Sequence, residues 1–250
     1  MSRWLMLMAW LALLLVGSVR PAERMVSIPE IQGAAHISPL VGERVTTQGI
    51  VTALRPNGFY LENPQPDADP ATSEGIFVYT DARPDLSVGD TLRVTGTVAE
   101  YVPGGADSGN LSITELDAPV IERLSSGNPL PPPVVIGRAG RLPPGEVIDD
   151  DGLTSFDPQT DGIDFYEALE GMRVRVSQPL VVGPSNSNGE MVVLADRRAV
   201  ASVRTPRGGI ILRLGDANPE RVILDNALRS LPKVAVGDTL GDAVTGILDY

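Results

Sequence analysis

Residues 87–101 read SVGDTLRVTGTVAEY and residues 235–250 read AVGDTLGDAVTGILDY. A valine (Val88, Val236), a Gly-Asp-Thr-Leu run and a closing tyrosine therefore occur twice in one chain. A matching opening lies upstream of each, Leu40-Val-Gly-Glu-Arg-Val45 and Leu169-Glu-Gly-Met-Arg-Val174. Internal repetition sets the fold before any other feature does, because one supersecondary unit has to be built twice.

In the first copy the Gly89-Asp90-Thr91 turn leads into a strand ending near Tyr101, a Gly-rich loop and a further strand-like segment from Asn110 to Leu124. The second copy reaches Tyr250 without that last segment. An open strand edge exposes a row of unpaired backbone groups, so the expectation is an amino-terminal portion of a longer polypeptide. A complete protein with a degenerate second unit is the alternative.

The strands follow from alternation and β-branched content. In the first unit they are expected at Arg44 to Leu54, Phe59 to Glu62, Gly75 to Tyr79, Thr91 to Glu100 and Leu111 to Glu122. Pro56-Asn57-Gly58 forms the turn of a hairpin. In the second unit they are expected at Arg173 to Val182, Met191 to Ala195, Ile210 to Leu214, Val222 to Leu224 and Thr239 to Leu248. The second copy is longer by about 19 residues, placed in the Arg-rich stretch after Asp196 because loops accept insertions. With 26 glycines and 22 prolines in the chain, many short strands and turns are favoured over long helices. The fold class is therefore all-β, and five short strands per unit fit an OB-type Greek-key barrel. The chain divides into a leader over 1–22, one OB-like barrel over 26–127, a Pro/Asp-rich linker or wrap-around strand over 128–164, and a second, incomplete barrel over 165–250.

The leader starts with Arg3, runs apolar from Trp4 to Val16 and exits through Gly17-Ser18 and Arg20-Pro21-Ala22, the pattern of a secretory signal peptide. It is shorter than the roughly 20 apolar residues that span a bilayer. This implies export to the periplasm or the outside without a stable membrane anchor. Cysteine is absent, so packing rather than bridges must hold the exported protein. The net charge of −12 argues against broad attraction to nucleic acid. From Met25 to Gly127 there are 14 acids against 5 bases, whereas Val193 to Tyr250 carries 7 acids against 8 bases. Only the second unit offers a basic surface.

Several runs together carry a family resemblance: Ile28-Pro-Glu-Ile-Gln-Gly33, Thr47-Gln-Gly-Ile-Val-Thr52, Asn57-Gly-Phe-Tyr-Leu61, Gly75-Ile-Phe-Val78, Gly89-Asp90, and Phe156-Asp-Pro followed by Asp161-Gly-Ile-Asp-Phe-Tyr-Glu-Ala-Leu-Glu-Gly-Met-Arg-Val174. They resemble the amino-terminal region of large secreted bacterial nucleases, in which OB-like modules precede a catalytic domain of the endonuclease/exonuclease/phosphatase type. The resemblance implies a non-catalytic region that handles DNA or RNA for a following domain of the same polypeptide. That domain, not this chain, would use magnesium. Its metal-binding Glu, His/Asp pair, Asn residues and second histidine find no match here, so no catalytic residue is carried over. The rival expectation is an extracellular structural or interaction module that binds protein, polysaccharide or calcium. A hydrolase built from paired carboxylates is the weakest expectation, because no base or nucleophile set accompanies them.

Three groups are candidate sites. Arg197, Arg198, Arg204, Arg207 and Arg213, beside Gly208-Gly209, suit phosphate neutralisation or ion pairing with the acidic remainder of the chain. Tyr60, Phe77 and Tyr79 lie on strands that carry ligands in OB folds, where bases stack on aromatic faces. Alternation sets Phe77 and Tyr79 opposite Ile76 and Val78, and the scarcity of aromatics favours the pair as core. Asp149, Asp150, Asp151, Asp157, Asp161 and Asp164 offer oxygen ligands suited to calcium. Their spacing is not that of an EF-hand loop, and a solvated capping loop is the competing reading, with Asp164 as a helix cap. His36, the chain's one histidine, has no acid near it in sequence and reads as structural or exposed.

Overall fold

The computed structural model describes residues 24–198 and 203–249. The expected leader lies outside the described residues. The fold is predominantly β, with several sheets and two short α-helices among the described residues.

The first unit opens with β1 (Arg24–Met25) and α1 (Ile28–Gln32). Ser27 and Glu30 start α1 by a reciprocal capping box: Ser27 Oγ accepts from the Glu30 amide at 3.3 Å, and Glu30 Oε2 accepts from the Ser27 amide at 2.8 Å. Both orphan donors are satisfied, and Ile28 and Ile31 are delivered into the core.

Five strands follow: β2 (Arg44–Arg55), β3 (Gly58–Glu62), β4 (Gly75–Tyr79), β5 (Thr91–Tyr101) and β6 (Ile113–Ser125). The twelve-residue β2 serves two partners, pairing with β5 through its first half and with β3 through its second. Antiparallel β3–β4, parallel β4–β6 and antiparallel β6–β5 complete the set. The order β2-β3-β4-β6-β5 thus returns to β2. Val45, Val51, Phe59, Leu61, Ile76, Val78, Leu92, Val94, Val98 and Leu116 pack together on the face they share with α1. At about 1.5–3 kcal/mol per fully buried side chain, this cluster dominates the stability of the unit.

The second unit comprises β7 (Val134–Ile136), α2 (Gly162–Glu167), β8 (Arg173–Ser177), β9 (Leu180–Gly183), β10 (Met191–Leu194), β11 (Val222–Leu224) and β12 (Ala243–Ile247). They form two three-stranded sheets, β11-β10-β9 and β12-β8-β7. The expected linker is in part a strand: β7 runs parallel to β8 within the second unit.

The landmarks of the sequence repeat carry matching hydrogen bonds in both copies. The Gly42 amide donates to Val98 O and the Val98 amide to Glu43 O; in the second unit Gly171 donates to Leu248 O and Leu248 to Met172 O. Gly89 donates to Val51 O and Val51 to Asp90 O, and likewise Gly237 to Val181 O and Val181 to Asp238 O. Asp90 and Asp238 each cap their own turn, through Ser87 N and Ala235 N. Gly89 and Gly237 adopt φ of 90° and 96°, a region open to glycine and strained for other residues. By this correspondence β8 and β9 together match β2, β10 matches β3, β11 matches β4 and β12 matches β5.

Two expected strands are corrected. The single strand over 173–182 is two, because Gln178 turns to φ +41° between them. Ile210 to Leu214 is not a strand: it makes only isolated bridges, Arg204 to Ile210 and Arg213 to Asp216, and leaves Leu212 and Leu214 exposed. It belongs to the long connection between β10 and β11, where the extra length of the second copy was expected.

The units meet through backbone. A Cβ on Gly75 would stand 2.2 Å from Gly171 C, so only glycine permits this approach. Around it Ser73 Oγ donates to Glu170 O at 2.5 Å, Gln32 Nε2 donates to Glu170 Oε1 at 3.3 Å, and the Thr114 amide donates to the same oxygen at 3.0 Å. The Arg173 amide donates to Glu62 Oε2 at 2.9 Å.

Candidate ligand-binding face

Alternation in β3, β4 and β6 sends every second side chain away from the main core. Register then aligns them: Tyr60 faces Phe77 and Phe77 faces Glu115, one row across three strands. Tyr79 and Asp117 extend the next row, two residues further along their strands. Tyr60, Phe77, Ile113 and Ala53 form a small cluster of their own, with Tyr79 and Ile247 packed against it. The aromatic pair expected as core thus lies opposite the main core, which takes Ile76 and Val78. The Tyr60 and Phe77 rings sit 5.0 Å apart and tilted.

One side of this face is closed by the second unit. Asp249 Oδ2 accepts from the Tyr60 hydroxyl at 2.5 Å and from Arg55 Nη1 at 2.6 Å. Burial, reinforced by the Asp249 charge, raises the Tyr60 phenol pKa, so it stays a donor. What remains open is a cavity of about 560 Å³ lined by Tyr60, Phe77, Tyr79 and Tyr101, by Glu115 and Asp117, and by the Arg55–Asp249 pair. Glu115 is buried, and its carboxyl is pushed up to about 7 by desolvation and by the neighbouring Asp117 and Glu100 charges. Its row partner Phe77 and the β5 neighbour Ala99 offer it no hydrogen-bonding side chain.

The five arginines lie elsewhere, on the long β10–β11 connection. Arg197 and Arg207 are exposed. Arg213 is neutralised by Asp216, with Nη2 at 2.5 Å from its carboxylate. Arg204 is half-buried beside its bridge to Ile210, and Arg198 closes a 3-10 turn.

The aspartates are built into backbone turns. Asp149 Oδ1 accepts from the amides of Asp151 and Gly152, and Asp151 accepts from Thr154 and Ser155. Asp150 donates its amide to Asp161 Oδ2 at 3.3 Å. The cap of α2 is Asp161, which accepts from the Ile163 amide at 3.0 Å; Asp164, expected in that role, lies inside the helix. Asp164 instead takes His36 Nε2 at 2.6 Å and the Asp157 amide at 2.5 Å. His36 therefore has an acid partner from the other unit, and its ring stands edge-on to Phe156. Among the described residues no group of three or more His, Asp or Glu side chains converges as a metal site.

A family model described as a domain of unknown function (DUF8508) matches residues 135–250. No curated protein and no solved structure matches the chain. The DUF8508 span starts in β7 and takes in α2 and β8 to β12, and so includes the closing contact of Asp249 with Tyr60. The aromatic face itself lies outside it.

Sequence reasoning found Tyr60, Phe77 and Tyr79 but missed Tyr101, Glu115, Asp117 and Asp249. The period-two pattern of β6 places Glu115 and Asp117 on one face, a signal available in the sequence once β6 is paired beside β4. Asp249 carries no such signal.

Proposed function

We propose that this chain is an exported, non-catalytic binding region of two OB-like units, and that the outer face of β3, β4 and β6 is where it takes its ligand. The strand order that returns to its start, with β4 parallel to β6, supports an OB-like barrel for the first unit. The matching hydrogen bonds at the repeat landmarks extend that reading to the second. The observation that carries the binding role is the cavity of about 560 Å³ over the aromatic row, a size within the usual range of small-molecule sites. Its carboxylates favour an interaction module over one that grips phosphates.

Nucleic-acid handling, as part of a secreted nuclease, is the second reading. The exposed Arg197 and Arg207 on the β10–β11 connection favour it, together with the family resemblance. Binding of single-stranded and double-stranded DNA measured against salt separates the two. A steep loss of affinity with salt that is weakened in Arg207→Glu supports phosphate contact. No binding at low salt, with or without calcium, leaves the interaction module.

A further inference from the structure

On the reading that the outer face is the binding surface, we propose that its cavity holds a small organic ammonium ion, cupped by Tyr60, Phe77 and Tyr79 and paired with Glu115. Two features of the lining point to this chemistry, aromatic side chains from β3, β4 and β5 and a buried carboxyl from β6. Aromatic faces attract a cation through their quadrupoles, and do so more strongly when it is desolvated. Tyr60, Phe77, Tyr79 and Tyr101 line one cavity. Glu115, at 8% exposure, lines the same cavity, and no side chain of its own row hydrogen-bonds it. A buried carboxyl is costly unless paired, and a cation in the cavity supplies the pair. The one cation in the lining, Arg55, is paired with Asp249 at 2.6 Å.

An anion is disfavoured at the same place, because Glu115, Asp117 and Asp249 surround it. A wholly neutral ligand would leave Glu115 as it is. The second unit closes one side of the cavity through Asp249, which fits a compact ion rather than a long chain.

Proton linkage follows. With its carboxyl at about 7, Glu115 is largely neutral at pH 6 and largely charged at pH 8. Asp117 and Glu100 act on it with like charge, and Arg55 and Asp249 are paired with each other, so ammonium binding tightens as pH rises through 7 and releases a proton on the acid side.

The test is nuclear magnetic resonance of the full chain with ¹³C-labelled tyrosine rings, titrated with tetramethylammonium chloride against sodium chloride of equal strength. The expected result is saturable shifts of Tyr60, Tyr79 and Tyr101, none at Tyr166, and an affinity about tenfold lower in Glu115→Gln at pH 8. Asp117→Asn, at an exposed position, should fold as the native chain does and weaken binding by a smaller factor. The neutral isostere 3,3-dimethylbutanol is the second probe. If it binds as tightly as the ammonium ion, or if Glu115→Gln and Asp117→Asn bind the ion undiminished, the cation assignment is overturned while the binding face stands. If neither probe moves the three tyrosines, both fall.

Discussion

Glu62 ties the two units together and should make their packing stronger in mild acid. It ends β3, is 2% exposed, and accepts the Arg173 amide of the second unit. Burial outweighs that hydrogen bond and the Arg173 charge, and pushes the carboxyl up to about 7, with Glu74 adding to the rise. A folded value above the unfolded one means that the native state holds the proton more tightly. The associated stability is full below about pH 4.5 and is lost as pH rises through about 7. From 4.5 to about 7, at about 1.4 kcal/mol per pH unit, the loss is about 3 kcal/mol. That is a large share of the roughly 5–15 kcal/mol of an ordinary domain. Glu170 and Glu74, also raised chiefly by burial, act in the same direction. Glu30 and Asp90, which are lowered by hydrogen bonds, act in the opposite sense and at lower pH. Urea midpoints at pH 5 and pH 8 measure the effect. The native chain should be more stable at pH 5, and in Glu62→Gln the difference between the two pH values should shrink by about 2.5 kcal/mol, the part of the loss that falls between them. A variant that keeps the whole native difference, or a native chain weaker at pH 5, would refute the reasoning.

Gly75→Ala should cost about 3 kcal/mol or more, the upper end of the usual range for overpacking, because its Cβ would meet rigid backbone of Gly171 and Met172; thermal unfolding reads the loss. Asp249→Asn should lower the Tyr60 phenol pKa while leaving it above that of a free tyrosine, since burial comes first among its causes; ultraviolet titration at alkaline pH follows it, and an unchanged profile contradicts the contact. His36→Ala removes one of two partners of the buried Asp164 carboxylate and should cost about 1–3 kcal/mol, seen as a lower urea midpoint.

The repeat was legible because its landmarks are backbone devices. Gly42, Gly89, Gly171 and Gly237 all adopt positive φ, and such positions mark themselves as glycine whatever surrounds them. β3 and β4 are buried on nearly every residue and show no alternation; β3 was legible from the Pro56-Asn57-Gly58 turn before it, and β4 from its aromatic and β-branched content. Ile210 to Leu214 misled because Ile-Ile-Leu-Arg-Leu looks like a strand, yet the turns at Gly208 and Gly215 leave it with isolated bridges only. The face was legible only in its aromatic half. Glu115 and Asp117 look like any surface acids until β6 is laid beside β4, and Asp249 reaches Tyr60 across 189 residues. The same holds for His36 and Asp164, 128 residues apart. Such pairings arise from docking of the units, which no local pattern encodes.

The corner Leu169-Glu-Gly-Met has a twin, Leu40-Val-Gly-Glu, yet the twins lead different lives. In the first unit Val41 faces water, while in the second Glu170 and Gly171 are wedged against Gly75 and Thr114. The angle between the units is therefore set by a corner of one pressed into a socket of the other, not by the string of prolines that joins them. Inserting residues after Pro133 should lengthen the tether and leave that angle unchanged.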